Sequence, residues 1–154
     1  MSVAFVGVGT NMGDRLQNIK DAVKSIELLP NTKVVNISKI YETLPWGVEN
    51  QPNFLNGVLK VETDFSAFAF LGCLLGIEAS MGRVRTIKNG PRIIDLDLLI
   101  FEDEVINTTE LTLPHPFIEQ REFVLKPLLD VLSSEKYLKV LEKLEQGTVW
   151  LYES

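Results

Sequence analysis

Hydrophobic and polar positions along the chain follow two different periods. Four runs, residues 2–9, 32–42, 54–63 and 93–101, are apolar or alternate between apolar and polar residues, which predicts β-strands. Two stretches that follow the first and third runs repeat apolar residues every three or four positions, which predicts helices.

The two predicted helices have recognisable ends. The first begins at a cap supplied by Asn11 or Asp14 and ends near Leu29, and the second begins at Asp64 or Ser66 and ends near Met81. The resulting order is strand, helix, strand, strand, helix, strand. This order predicts an α+β fold, a ferredoxin-like βαββαβ sandwich with a largely antiparallel sheet and both helices on one face.

The remainder of the chain predicts additions to that sandwich. A hairpin is expected from Glu104 to Leu113, turning at residues 107–109. Residues 117–132 and 135–146 have helical periodicity, and these C-terminal helices are expected to cover the second face of the sheet. With 154 residues in total, we expect one domain spanning residues 1–154.

Composition and charge narrow the class of protein. The net charge of −6 argues against a general nucleic-acid surface, and no apolar run is long enough to predict a membrane span. The N-terminus has no basic region followed by an apolar core, so a secretory signal peptide is not predicted and a cytoplasmic location is expected. The single cysteine, Cys73, lies in an apolar helical stretch and is interpreted as a buried structural thiol.

Two carboxylates interrupt the last predicted strand of the sandwich. Asp95 and Asp97 are two residues apart, so their side chains project from the same face, with Cβ atoms roughly 6–7 Å apart. Two like charges on an apolar strand need compensation, and Mg²⁺ is bound by oxygen ligands of this kind together with water and phosphate. The alternative is an edge strand whose aspartates face water.

The arginines are concentrated near these carboxylates. Three of the five, Arg83, Arg85 and Arg92, lie within ten residues, and Arg121 follows the only histidine, His115. Because guanidinium groups bind phosphate oxygens in a bidentate manner, the cluster predicts a phosphorylated ligand with a metal ion. A solvated ion-pair cluster is the alternative interpretation.

Two further residues stand out in the pattern. Glu78 falls on the apolar side of the second predicted helix, which predicts a cationic partner such as Arg83 or Arg85, for structural pairing or for support of a site. Trp46 lies in a polar loop, where it is either a binding residue or a side chain folded onto the core.

Two common phosphate-binding motifs are excluded. The glycines at positions 7, 9 and 13 miss the dinucleotide fingerprint, because its third glycine would fall at Met12. No P-loop sequence occurs anywhere in the chain.

Three motifs in order carry a resemblance to a known family. They are Gly82-Arg83-Val84-Arg85, the run from Gly90 to Asp97 (Gly-Pro-Arg-Ile-Ile-Asp-Leu-Asp), and Leu111-Thr112-Leu113-Pro114-His115 followed by Arg121 and Phe123. Together with the Gln51-Pro52-Asn53-Phe54-Leu55-Asn56 segment, the chain resembles the 6-hydroxymethyl-7,8-dihydropterin pyrophosphokinases of folate biosynthesis over nearly its whole length. The resemblance implies transfer of pyrophosphate from ATP to the pterin hydroxymethyl group, with release of AMP.

The resemblance also implies roles for individual residues. Asp95 and Asp97 would hold two Mg²⁺ ions, while Arg83 and Arg92 would neutralise the phosphates during the reaction. The remaining ATP-binding residues would be Glu78, Arg85, Leu98, Leu111, Thr112, His115 and Arg121. The pterin-binding residues would be Thr43, Leu44, Trp46, Phe54, Asn56 and Phe123. The implied partners are the two small-molecule substrates, with no nucleic acid and no membrane, and a monomer is expected.

The chain departs from the family pattern at two places. Asn89 stands where many relatives have an aromatic residue, in a loop from Val84 that is shorter than theirs. The resemblance therefore does not carry over the residues that close this loop over the site. Pro116 replaces a tyrosine that some relatives have after the histidine, which would alter the adenine pocket.

Two other classes of function are compatible with parts of the pattern. A ferredoxin-like regulatory module could bind a nucleotide without turning it over, but the arginine cluster beside the two aspartates argues against it. A two-metal phosphohydrolase would need more carboxylate and histidine ligands than this sequence supplies.

Overall fold

An antiparallel sheet forms the centre of the protein in a computed structural model, which describes residues 1–45, 50–83, 92–144 and 147–152. Within these residues the sheet has six strands, in the order β5-β1-β4-β3-β8, and β2 also pairs with β4. The strands are β1 (Ser2–Thr10), β2 (Thr32–Ile37), β3 (Tyr41–Thr43), β4 (Phe54–Thr63), β5 (Asp95–Phe101) and β8 (Val149–Leu151). A separate short hairpin consists of β6 (Ile106–Asn107) and β7 (Thr112–Leu113).

Four α-helices lie in the described part of the chain. They are α1 (Arg15–Glu27), α2 (Ala67–Ser80), α3 (Glu122–Val131) and α4 (Glu135–Lys143), with a 3-10 turn at Ile118–Gln120. Of the caps that the sequence left open, Asp14 accepts a hydrogen bond from the backbone N–H of Gln17, and Ser66 accepts one from Ala69. These bonds satisfy backbone donors that a first helical turn cannot pair internally, which fixes where each helix begins.

Two apolar clusters hold helices against opposite faces of the sheet. In the first cluster, Val6 and Leu59 of the sheet pack with Ile26 of α1 and Phe70 of α2. The second cluster joins Phe5, Val58 and Leu99 to residues of the C-terminal helices, including Leu125, Leu128 and Tyr137. The prediction of a ferredoxin-like sandwich whose second face is covered by C-terminal helices is therefore confirmed. None of the described helices has the length and apolar character needed to cross a membrane.

The prediction of one strand over residues 32–42 is wrong. The structure divides it into β2 and β3, both paired with β4. At Ser38 between them, the side-chain hydroxyl accepts a hydrogen bond from Val58 N–H at 2.8 Å, while the Ser38 N–H donates to the Val58 carbonyl. Because a hydroxyl replaces the backbone carbonyl as acceptor, the ladder is interrupted there and resumes at Tyr41.

Several predicted boundaries also need correction. The last strand of the sandwich begins at Asp95 rather than at Ile93, and the turn of the hairpin lies at residues 108–111 rather than 107–109. The helix predicted over residues 117–132 is interrupted at Arg121, whose φ of −124° and ψ of 105° are extended. Strand β8 was not predicted at all.

Candidate active site

Two glycines of the central strand β1 leave an open floor on the face of the sheet that α3 covers. In the strand register, Gly9 lies between Asn56 of β4 and Asp95 of β5, and Gly7 is paired with Asp97. A Cβ atom on Gly9 would lie only 3.0 Å from Asn56 Oδ1. The missing side chains therefore create the space above β1, with an amide on one side and two carboxylates on the other.

This space is a cavity of about 650 Å³, part of it open to solvent. Its lining includes many of the residues predicted from the sequence: Thr43, Leu44, Phe54, Asn56, Arg92, Asp95, Asp97, Arg121 and Phe123. The Asn56 Nδ2 atom is buried and makes no hydrogen bond within the described residues. An unsatisfied buried donor is costly, so this amide is suited to a polar ligand in the cavity.

Arginine side chains approach the aromatic rings of the cavity. The Arg92 guanidinium lies 5.8 Å from the centre of the Phe54 ring, and that of Arg121 lies 5.6 Å from the centre of the Phe123 ring. The rings supply flat apolar surface, and the guanidinium groups place positive charge beside it. The cavity thus combines the features needed for a flat heterocycle and an adjoining anion.

A second cavity of about 780 Å³, part of it open to solvent, adjoins Asp97 as well. It is lined by four more predicted residues, Leu98, Leu111, Thr112 and His115, and by Pro116. Asp97 lines both cavities. Two ligands bound in the two cavities would therefore meet at this carboxylate.

A buried ion-pair network fixes the position of Arg83. Glu78 Oε2 accepts hydrogen bonds from Arg83 NH1 and from the Leu96 backbone N–H, both at 2.7 Å. The same Arg83 nitrogen donates to Asp95 Oδ1 at 2.6 Å. Arg92 approaches the other oxygen of Asp95 at 3.4 Å. The predicted cationic partner of Glu78 is confirmed as Arg83, and this pairing positions an arginine at the carboxylate pair.

Burial and charge act together on Asp97. Desolvation, followed by the negative charge of Asp95, raises the pKa of Asp97 to about 8, although Arg121 opposes the shift. The described residues contain no group of three or more His, Cys, Asp or Glu side chains that could enclose a metal ion. Two adjacent carboxylates that repel each other nevertheless fit Mg²⁺, which takes its other ligands from water and phosphate.

His115 has a defined hydrogen-bonding state. Its Nδ1 atom accepts a hydrogen bond from the backbone N–H of Phe117 at 3.2 Å. Burial and the nearby Arg121 lower the pKa of His115, which favours the neutral ring. Since Nδ1 is the acceptor, the proton of that neutral ring lies on Nε2, where it can be donated to a ligand.

Some predicted site residues lie outside the described residues. Arg85 and Trp46 are among them, as is the loop from Val84 to Asn89. Their predicted roles therefore stay predictions.

The sequence did not indicate that the C-terminal segment supports the first cavity. The Thr148 carbonyl accepts hydrogen bonds from Thr43 Oγ1 at 3.0 Å and from Leu44 N–H at 3.3 Å. Lys126 Nζ of α3 donates to the neighbouring Val149 carbonyl at 3.2 Å. The run of β-branched, aromatic and apolar residues from Thr148 to Tyr152 is the local feature that could have suggested a strand here.

Comparison with known proteins agrees with this architecture. Residues 5–133 match the family model described as 7,8-dihydro-6-hydroxymethylpterin-pyrophosphokinase (HPPK). The chain is 37% identical to the 2-amino-4-hydroxy-6-hydroxymethyldihydropteridine pyrophosphokinase of Methylorubrum extorquens, covering 97% of this chain and 98% of that protein. It is 42% identical to the protein of the same name from Aquifex aeolicus, covering 85% and 81%.

Longer proteins contain a similar region. The chain is 38% identical to the folic acid synthesis protein fol1 of Schizosaccharomyces pombe, with 99% of this chain covered but only 22% of that protein. A crystal structure of an HPPK-DHPS protein in complex with substrates has the same fold, with a TM-score of 0.70 at 15% identity, over 92% of this chain and 45% of the other.

The protein is therefore an enzyme of the pyrophosphokinase class. It belongs to the 7,8-dihydro-6-hydroxymethylpterin-pyrophosphokinase family.

Proposed function

We propose that this protein transfers the β,γ-pyrophosphoryl group of ATP to the hydroxymethyl group of 6-hydroxymethyl-7,8-dihydropterin, releasing AMP. The observation that carries this proposal is that the two cavities adjoin at one carboxylate, Asp97, with arginines beside it. A transfer reaction requires two substrates whose reacting atoms meet in one place.

The first cavity takes the pterin in this proposal. Phe54 and Phe123 enclose the flat ring between them, which the cavity lining supports. The Asn56 amide pairs with donors and acceptors on the ring edge, and this contact satisfies its buried Nδ2 atom. Backbone groups of Thr43 and Leu44, together with Trp46, take the remaining edge.

The second cavity takes the nucleotide. Leu98, Leu111 and Thr112 surround the adenine, and neutral His115 donates from Nε2 to the triphosphate. Arg121 also binds the triphosphate, as does Arg85. Glu78 acts through Arg83, because it holds the guanidinium at the site without itself facing a ligand.

Two Mg²⁺ ions are held by Asp95 and Asp97 in this proposal. When bound, such ions neutralise the triphosphate and favour ionisation of the attacking hydroxyl. Ionised Asp97 would be required for this, so its half-buried carboxyl would release its proton as the site is filled. Asp95 is then released in part from its ion pair with Arg83, which becomes available to phosphate oxygens.

The reaction forms one bond and breaks one bond. The pterin hydroxyl oxygen attacks the β-phosphorus, and the bond between that phosphorus and the oxygen bridging to the α-phosphorus breaks. The hydroxyl proton is released to water, and AMP leaves with the bridging oxygen and the electron pair of the broken bond. Arg83 and Arg92 stabilise the negative charge that develops on the transferred group and on AMP, which is the main task in phosphoryl-type transfer.

We further propose that residues 1–154 act as one domain, as a monomer in the cytoplasm. Size-exclusion chromatography with light scattering tests the oligomeric state. A mass of two chains or more would contradict the proposed monomer.

A product assay tests the proposed reaction. The protein is incubated with ATP, Mg²⁺ and 6-hydroxymethyl-7,8-dihydropterin, and the products are separated by ion-pair chromatography. We expect AMP and the pterin diphosphate in equal amounts, and both should disappear when the pterin is omitted. ADP as the nucleotide product, or nucleotide binding without pterin-dependent turnover, would overturn the proposal. Asp97→Asn serves as the inactive reference.

A further inference from the structure

We propose that Asn11 is a positioning residue that joins the catalytic arginine Arg92 to the loop in front of the pterin-binding strand, an inference that rests on the proposed function. Asn11 directly follows β1, and only 1% of it is exposed. The sequence suggested it only as a helix cap, but Asp14 has that role. The buried side chain of Asn11 is therefore used elsewhere.

One side of Asn11 fixes the backbone of Arg92. The Asn11 Oδ1 atom accepts a hydrogen bond from the Arg92 backbone N–H at 2.8 Å, and the backbone N–H of Asn11 donates to the Arg92 carbonyl at 3.1 Å. This reciprocal pair sets both the position and the orientation of the Arg92 peptide. Arg92 is three residues before Asp95, and its side chain reaches both that carboxylate and the Phe54 ring.

The other side of Asn11 fixes the segment that enters β4. Its Nδ2 atom donates to Gln51 Oε1 and to the Pro52 carbonyl, both at 2.9 Å. Phe54, the first residue of β4 and a lining residue of the first cavity, follows two residues later. One buried amide thus holds an arginine for the transferred group and the support of an aromatic wall for the pterin.

The chemistry of an amide is required for this double role. Asn11 accepts on one side and donates on the other. Two of its three side-chain partners, the Arg92 N–H and the Pro52 carbonyl, are backbone groups that cannot rearrange freely. Ionised aspartate has the same shape but only acceptors. In Asn11→Asp the aspartate keeps the bond from the Arg92 N–H. Its second carboxylate oxygen then faces the Pro52 carbonyl, and two acceptors repel each other there. Alanine removes all three side-chain bonds.

Steady-state kinetics of the full chain, with ATP and pterin varied separately, distinguish these roles. For Asn11→Ala we expect kcat to fall by about tenfold and the KM for pterin to rise by about tenfold, each corresponding to ~1.4 kcal/mol. For Asn11→Asp we expect the rise in pterin KM with kcat reduced by less than about threefold. Gln51→Ala, which removes one acceptor, should raise the pterin KM alone.

Asn18→Ala is the matched control. The Asn18 amide donates to the Met12 carbonyl at 2.7 Å in the same turn but does not line either cavity. Asn18 is half-buried and also donates to Thr10 Oγ1 at 3.3 Å, but neither of its bonds reaches Arg92 or the segment before Phe54. Its kcat and KM values should therefore stay within about twofold of the parent protein, a difference of roughly 0.4 kcal/mol. Thermal melts of all four variants separate loss of folded protein from a change in the site.

The outcomes are distinct. If Asn11→Ala loses only melting temperature and active fraction, with both KM values unchanged, its role is structural and the inference is overturned. The inference also fails if Asn11→Asp loses as much kcat as Asn11→Ala. Should Asn11→Ala not fold, the pterin KM of the other two variants is used instead. A raised pterin KM in both Asn11→Asp and Gln51→Ala supports the inference, and an unchanged value in both overturns it. Absence of pterin-dependent AMP release in the parent protein would instead overturn the proposed function.

Discussion

Replacing Glu78 by glutamine tests the buried ion-pair network without altering its shape. Glu78 is 3% exposed, and its Oε2 atom accepts one hydrogen bond from Arg83 and one from the Leu96 backbone. Glutamine keeps the side-chain volume and one acceptor oxygen but removes the negative charge. Both accepted bonds become bonds to a neutral group, and one NH₂ group must be placed in a space built for a carboxylate.

The expected loss of stability follows from these two bonds. A hydrogen bond to a charged group contributes about 1.5–3 kcal/mol and a neutral one about 0.5–1.5 kcal/mol, so the bond from the Leu96 N–H loses about 1–1.5 kcal/mol. The bond from Arg83 keeps its charged donor and loses the attraction between the two charges, which we take as about 1–1.5 kcal/mol, so the total cost is about 2–3 kcal/mol. The full cost of stranding a buried charge, about 3–5 kcal/mol, does not apply, because Arg83 still pairs with Asp95 at 2.6 Å.

Urea unfolding measures this difference directly. Glu42→Gln is the control, since Glu42 makes a similar 2.8 Å ion pair with Arg15 but the side chains are 20% and 26% exposed. A pair so accessible to water contributes about 1 kcal/mol or less, so the control should lose much less than Glu78→Gln. Equal losses in the two variants, or a loss below about 0.5 kcal/mol for Glu78→Gln, would refute this reasoning about burial.

The remaining predictions concern the cavity floor, pH and the C-terminus. Gly9→Ala places a Cβ atom 3.0 Å from Asn56 Oδ1, so the KM for pterin should rise. Gly7→Ala, whose nearest contact is 3.4 Å, should raise this KM less. Equal changes of the pterin KM in a kinetic assay would contradict this prediction. In the metal-free folded protein the pKa of Asp97 is raised to about 8, whereas in the unfolded chain it is about 4. Between these two pH values the folded state therefore binds a proton that the unfolded state has already released. The free energy of unfolding should therefore fall as the pH rises through that window, and urea titrations of Asp97→Asn should show a weaker dependence; an unchanged slope would contradict the burial argument. Lys126→Met removes the bond to the β8 carbonyl together with the 3.2 Å ion pair to buried Glu122, so some stability should be lost as well. The pterin KM should rise without a change in that for ATP, while an exposed lysine of α4 replaced in the same way should have no effect.

Local sequence patterns predicted most of the sheet and its helices because they report which faces are buried. Strand alternation places Phe54 and Asn56 on one face of β4 and Leu55 and Leu59 on the other, and the structure has the same division. The pattern could not place the break at Ser38, because that break depends on a hydroxyl that replaces a backbone acceptor in pairing with a distant strand.

In the candidate site, side chains that are close in sequence were predicted, but contacts between distant segments were not. Side-chain type and spacing were sufficient for the aspartate pair. For Glu78 they limited the cationic partner to Arg83 or Arg85, and the structure shows the pairing with Arg83, five residues away. The role of Thr148 could not be predicted, since its carbonyl meets Thr43 across 105 positions of sequence. Backbone carbonyls are the same in every residue, so no residue type identifies such a contact.

The order of elements, the common face of Asp95 and Asp97, and the concentration of arginines near them could be read from the chain alone, because period and composition are properties of neighbouring residues. The position of Asp97 between two cavities, the space that Gly7 and Gly9 leave beneath one of them, and the link that Asn11 makes between Arg92 and the segment before Phe54 became visible in the folded protein. These features arise from strand register and from side chains that meet across the fold, where sequence separation carries no information about distance.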